Sequence, residues 1–410
     1  MNTTAKIRAV ARSELQIPVV LFGIGIATLV LYLLTFAIHV RGENDFYREA
    51  LPSYRLLTHG HFLAFVRTSP AYVGSLLLRA PFALLASAFG AGRRAMYFVT
   101  ALPCMLAPGV LAGYIAAHRS GGGETAEGGG RRGFRPIDLV MLIPSVAIAL
   151  NDGHPEDILG AAFCVLAVLL AHRGAGKTAG FILGIAVINK SWAVVVVPLV
   201  FAVMPADRRL SSFVTLVLTA GGVMVPLTLM RASSAGSAGN ALGGQASGIF
   251  LIPQLLWWFG KSSWVAREAH VLLVVVDWLV TGAWWWLRAR GRPQPRVEEV
   301  LIVLALVFFL RAALDPWDNF YYFAPFMMTL AAYEDPPGFP KLTWLYAIAI
   351  VIIVPPPGLL RGLGDNGHAA VFSAFALLTI AWFGWRAFRP DRTPSAASIR
   401  PLPDHAALHP

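Results

Sequence analysis

Apolar stretches long enough to cross a hydrocarbon core recur along this chain from one end to the other, with little polar sequence between them. A helix needs about 20 residues, at about 1.5 Å each, to span a bilayer. Runs of that order fall near 17–40, 70–90, 96–117, 136–151, 157–172, 178–204, 211–230, 265–288, 297–314, 320–334, 341–355 and 369–387. Several are short enough to be tilted, broken or re-entrant, so the pattern predicts about 11 to 13 membrane helices. Composition agrees, since 57% of the residues are hydrophobic, 13% are charged and the mean hydropathy is +0.63, well above ordinary soluble domains. The expected fold is an all-α polytopic membrane protein with one transmembrane domain over 17–388, an N-terminal segment 1–16 and a tail 389–410.

The first apolar run is too long for a cleaved signal peptide and lacks a small-residue cleavage site, so it reads as a retained helix. The net charge of +11 sits mostly in tails and loops. The positive-inside rule then puts both termini and the loops near 118–135 and 288–296 in the cytoplasm, with 41–69 and 231–262 outside. Membrane orientation accounts for this charge, and no nucleic-acid partner is expected. Simple alternation of spans would place 118–135 outside. Treating 70–90, interrupted by Arg79 and Pro81, and 178–204, interrupted by Asn189-Lys190, as non-spanning hairpins removes that conflict.

Cys104 and Cys164 lie inside apolar runs, where a free thiol packs as a small hydrophobe. The chain has no Walker, dinucleotide-binding or HExxH motif, which leaves an activated substrate or a gradient as the energy source for any reaction.

Seven of the 22 acidic residues fall in three short segments between apolar runs: Glu43-Asn44-Asp45, Asn151-Asp152-Gly153-His154-Pro155-Glu156-Asp157, and Asp315-Pro316-Trp317-Asp318-Asn319 followed by Phe320-Tyr321-Tyr322. Carboxylates at a membrane edge are costly unless paired, so the three segments point to a shared polar chamber. Each also has a local explanation. Glu156 and Asp157 suit the first turn of a helix, and Trp317, Tyr321 and Tyr322 suit an interfacial aromatic belt. Capping does not account for His154, which beside carboxylates can hold a proton, a metal or a phosphate. Lys190, between Val187-Ile188 and Val194-Val195-Val196-Val197, must snorkel towards the interface or meet an anion, and Trp192 fits either case. Arg79 raises the same question. Arg311, one turn before Asp315, reads as its counter-ion or as a phosphate ligand.

After the first helix, the stretch 41–69 mixes Phe46, Tyr47, Tyr54, Phe62 and Phe65 with Arg48, Arg55 and Arg67, as expected of short interfacial helices. A first helix, an acidic residue just beyond it and juxtamembrane helices after that resemble the layout of the C-type (GT-C) glycosyltransferases. Gly153-His154-Pro155-Glu156-Asp157 and Gly184-Ile185-Ala186-Val187-Ile188-Asn189-Lys190-Ser191-Trp192 are similar to segments of bacterial polyprenyl-phosphate-mannose-dependent transferases. The late segment 315–322 departs from the Ser-Pro and paired-His pattern of the best-known mannosyltransferases, so donor sugar and acceptor do not carry over.

The resemblance implies a multi-pass protein of the bacterial cytoplasmic membrane with an outward-facing site. It would move a sugar, mannose among the candidates, from a polyprenyl-phosphate donor to a lipid or glycan acceptor. Asp45 would be the catalytic base with Glu43 in reserve. His154, Glu156, Asp157, Lys190, Trp192, Arg311, Asp315, Asp318, Tyr321 and Tyr322 would bind substrate, with Lys190 and Arg311 on the phosphate. No cofactor is expected, although a divalent cation is compatible with His154 and its acidic neighbours. The competing reading is a lipid or solute transporter with an intramembrane polar path, which must open to both faces.

Overall fold

The computed structural model describes residues 43–119, 149–232, 255–259, 263–290, 295–315, 320–334, 341–354 and 360–389. The expected first helix at 17–40, most of the loops 118–135 and 231–262, Asp318 and the tails lie outside the described residues. Among the described residues the fold is all-helical, and every apolar run that falls within them is helical.

A wide turn, Phe46–Ala50, leads into α1 (Leu51–Thr58), followed by α2 (Phe62–Thr68) and α3 (Val73–Ala88). The rest comprises α4 (Arg93–Arg119), α5 (Glu156–His172), α6 (Gly176–Asn189), α7 (Val197–Val203), α8 (Ala206–Ala232), α9 (Ser263–Trp284), α10 (Val297–Leu314), α11 (Ala324–Glu334), α12 (Lys341–Ile353) and α13 (Gly364–Phe388). Among the described residues, four helical segments, Arg93–Ile115, Ala206–Arg231, Val271–Ala289 and Gly364–Phe388, are long and apolar enough to cross a membrane. Val73–Ala88, Gly176–Asn189, Ser191–Val203 and Lys341–Ile353 are apolar but shorter.

Helices that are apolar on every side belong in the middle. α5 and α10 fit that rule and are buried along nearly their whole length. α8 keeps a broad apolar face uncovered, with Leu210 and Leu218 about 70% exposed (74% and 69%), as a lipid-facing helix would.

Side-chain ties fix the direction of each helix. α4 starts where Arg93 pairs with Glu43 and ends where Arg173 stacks over Tyr114. α5 runs the same way, from the Glu156 end to the Arg173 end. The run 178–204 breaks at Lys190: α6 climbs to the Glu156 end, and the 3₁₀ turn Ser191–Val196 with α7 descends again, bringing Pro205 back beside Gly174. It is therefore a helical hairpin with Lys190 at its tip.

α3 behaves differently from the interruption expected at Arg79 and Pro81, since it runs unbroken through both. Proline removes only one backbone donor, and Pro81 lies on the exposed face. Both ends of α3 nevertheless lie at the Glu156 end. Tyr72, before its first turn, donates to Glu49, and the short loop after Ala88 leads straight to Arg93 beside Glu43. The helix, about 24 Å long at 1.5 Å per residue, thus lies across one end of the bundle. It buries Leu76, Arg79, Ala80, Ala83 and Ala86 and leaves Leu84, Leu85 and Phe89 exposed.

Candidate functional site

The site forms where the start of α5, the tip of the α6–α7 hairpin, the end of α10 and the chain around Asp45 meet beneath α3. Gly153 makes the first of these junctions. It has φ +91°, and a Cβ there would lie 2.4 Å from the backbone nitrogen of Phe46, so glycine allows the two chain segments to touch. Asn44 Nδ2 and the Tyr97 hydroxyl both donate to the Leu150 carbonyl, at 3.4 and 2.5 Å, holding 44–45 against the approach to α5.

That contact places His154 between two carboxylates. Its Nε2 lies 3.1 Å from Asp45 Oδ2 and its Nδ1 2.8 Å from Glu156 Oε1. Glu156 also meets Arg79 Nη2 at 3.1 Å and Lys190 Nζ at 3.2 Å. Lys190 bridges to Asp157 Oδ2 at 3.1 Å and lies 4.5 Å from the centre of the Tyr72 ring. Asp157 Oδ1 accepts a 2.8 Å hydrogen bond from the Trp192 indole and faces Arg311 Nη2 at 3.8 Å. Arg311 is stacked between Trp192 and Tyr322, with its guanidinium 4.5 and 4.3 Å from the ring centres, and it donates to the Tyr322 carbonyl at 3.2 Å. Tyr321 lies over His154 at 4.6 Å, and Asn189 Nδ2 ties the hairpin tip to the Glu156 carbonyl at 2.8 Å.

Burial sorts these groups. Glu156 and Asp157 are wholly buried, Arg79 and Arg311 nearly so, and Lys190 keeps a sliver of exposure, whereas the Asp45 side chain is 43% exposed. Unpaired charges in such surroundings are prohibitive, so the network must be judged as a whole. Burial alone would lower the basicity of His154, but the hydrogen bonds it donates to Asp45 and Glu156 raise its pKa to about 9. The same hydrogen bond from His154 holds Asp45 below the usual carboxylate range, against partial burial. Asp152, beside them, is pushed upward by burial. With the imidazole protonated, Asp45, Glu156 and Asp157 face Arg79, Lys190, Arg311 and His154, and buried Asp277 lies within electrostatic reach of Arg311.

His154, Glu156 and Asp157 each offer a metal-ligand atom within 4.8 Å of the others. Both ring nitrogens of His154 already face carboxylates, and Arg79 and Lys190 occupy those of Glu156 and Asp157. The donor set is neutralised by protein cations, which suits an anion better than a divalent metal. The chain matches no family model, no curated protein and no solved structure.

Of the residues singled out in the sequence, Asp45, His154, Glu156, Asp157, Lys190, Trp192, Arg311, Tyr321 and Tyr322 come together here. Glu43 does not, because it pairs with Arg93 on the surface. Asp315 is buried at the end of α10, near enough to Tyr322 for its charge to act on the phenol. Where the three segments pointed to a shared polar chamber, the described residues form a packed ion-pair network with Asp45 at its exposed edge. A cavity of about 440 Å³ lies instead at the opposite end, between Leu169, His172, Arg173, Pro205, Val297 and Leu301. Arg79, Asn189 and Tyr72 belong to the network without having been assigned to it. Arg79, a lone cation in an apolar run, and Asn189, a polar break in another, carried a signal, whereas Tyr72 did not.

Proposed function

We propose that this chain is a membrane glycosyltransferase of the GT-C kind, with about 11 to 13 membrane helices, in the bacterial cytoplasmic membrane with its site facing outward. It transfers a sugar from a polyprenyl-phosphate donor to a lipid or glycan acceptor. The observation that carries this reading is the convergence of Asp45, the His154-Glu156-Asp157 segment, Lys190 and Arg311 at one end of the bundle. The capping layer of α1, α2 and α3 over that end supports it. So does the crowding of Arg173, Lys177, Arg208, Arg288, Arg296 and Arg389 at the other end, the arrangement expected of a cytoplasmic face.

In this mechanism the donor's phosphate is the leaving group, and neither nucleotide nor ATP is required. Asp45, the accessible carboxylate, takes the proton from the acceptor hydroxyl as its oxygen attacks the anomeric carbon and the bond to phosphate breaks. His154 orients Asp45 and transmits its position from Glu156. Lys190, which keeps some exposure, offsets the charge of the departing phosphate, with Arg311 buried behind it between Trp192 and Tyr322. A single displacement inverts the anomeric centre. Turnover is expected to survive EDTA.

The test is sugar transfer from radiolabelled polyprenyl-phosphate donors in membranes carrying the wild-type chain. Asp45→Asn should cut turnover by about 100-fold or more, the usual scale for losing a general base, with donor binding intact. Full turnover in a folded Asp45→Asn protein would remove Asp45 from this role. Saturable movement of substrate across sealed vesicles without transfer would favour a transporter instead.

A further inference from the structure

The end of the bundle opposite the charged network carries an arrangement that the proposed chemistry leaves unused. A wide turn, Trp285–Ala289, closes α9, and the last turns of α13 lie beside it. Three arginines there stack on tryptophans four residues earlier: Arg290 over Trp286 at 3.9 Å, Arg386 over Trp382 at 5.7 Å and Arg389 over Trp385 at 4.8 Å. The two helix ends adjoin, because Arg288 Nη2 donates to the Arg389 carbonyl. Trp286 and Trp385 are 59% and 54% exposed, and neither 285–290 nor 380–389 contains an acidic residue.

Both helices are among those long and apolar enough to cross a membrane, so their last turns lie at headgroup level, where tryptophan is favoured. A guanidinium stacked on an indole uses its face and keeps its N–H edges for acceptors, one of which, for Arg386, is the Tyr333 hydroxyl at 2.7 Å. With no carboxylate in either helix end, the complementary acceptor at that level is a phosphodiester. The exposed indoles beside it offer an apolar surface for the upper part of an acyl chain.

We propose that the Trp–Arg pairs at the ends of α9 and α13 form a binding site for the headgroup of an anionic phospholipid of the phosphatidylglycerol class, in the leaflet at that end of the bundle. The site is independent of the chemistry proposed for the network around Glu156.

The full chain in detergent, titrated with phosphatidylglycerol or phosphatidylcholine of identical acyl chains and read by native mass spectrometry, tests this. The wild type should prefer phosphatidylglycerol. Each arginine removed should weaken that binding about five-fold, so R290Q/R386Q/R389Q should lose on the order of 100-fold and leave phosphatidylcholine binding unchanged. R290Q alone, a single change on the surface, should lose about five-fold and keeps the test valid if the triple variant folds poorly. Equal affinity of the wild type for the two lipids, or an undiminished preference in both variants, would overturn the proposal. Competition by millimolar inorganic phosphate would assign the patch to free anions and overturn it equally.

Discussion

Glu156 accepts the charges of Arg79 and Lys190 and the hydrogen bond of His154 while being fully buried, so no other side chain in the network has as many charged partners. Neutralising it removes the carboxylate that Arg79 and Lys190 share and leaves Lys190 with Asp157 alone. Glu156→Gln should therefore cost about 3–5 kcal/mol, the range for breaking a buried pair from one side, and thermal unfolding in detergent measures it. Asp45→Asn, at the exposed edge, should unfold at nearly the wild-type temperature. Equal stabilities for Glu156→Gln and wild type would mean that the network adds nothing to the fold. His154 adds a pH dependence. Its pKa of about 9 lies above the ordinary histidine value of about 6.5. The stability it contributes is complete below about pH 6.5 and is lost as pH rises towards about 9. Melting temperature should fall across that window in the wild type and stay flatter in His154→Gln. In the sequence, Lys190 showed no carboxylate partner and Arg311 pointed to Asp315, because Glu156 and Asp157 lie more than a helix away along the chain. No local pattern reveals such pairs.

The glycines of α6 decide how close that helix comes to α8. Gly176, Gly180 and Gly184 recur every four residues on one face, and each meets α8 directly. A Cβ on Gly180 would lie 2.3 Å from the Ser212 carbonyl oxygen, and one on Gly184 would lie 2.7 Å from Thr219 Cβ. Small residues at this spacing let membrane helices pack backbone to backbone. Gly180→Val should push α6 away from α8 and displace the Lys190 tip from Glu156, lowering both melting temperature and turnover. Gly221→Ala, which meets open space on α8, should change neither. A Gly180→Val protein as stable as wild type would mean that the two helices are not locked together. The glycine spacing was visible in the sequence but was not read as a contact, because spacing alone does not name the partner helix. Helical runs were legible because their periodicity and length are local properties. The break at Asn189-Lys190 was legible too, since polar residues there interrupt an apolar run. The course of α3 through Arg79 and Pro81 was not, because the burial of Arg79 against Glu156 depends on the tertiary fold.

At the scale of the whole molecule, the decisive property is that the charged network and both ends of α3 share one end of the bundle, while Gly174 and Pro205 share the other. Lys177, Arg208, Arg288, Arg296 and Arg389 cluster at that second end, which the proposed orientation turns to the cytoplasm. A lipid-linked donor used outside the cell requires this orientation. The two native thiols, Cys104 and Cys164, are buried and can be replaced by alanine to give a silent background. In that background, Ala88→Cys at the far end of α3 and Asp365→Cys at the start of α13 should react with a membrane-impermeant maleimide on intact cells. Lys177→Cys and Ala206→Cys should react only after permeabilisation. Labelling at 365 without labelling at 88 would mean that α3 crosses the membrane, and the capping layer over the site would be lost. Reversal of all four positions would turn the network to the cytoplasm. Outer-face glycosyl transfer would then be untenable, because Asp45 could no longer meet an acceptor outside the cell.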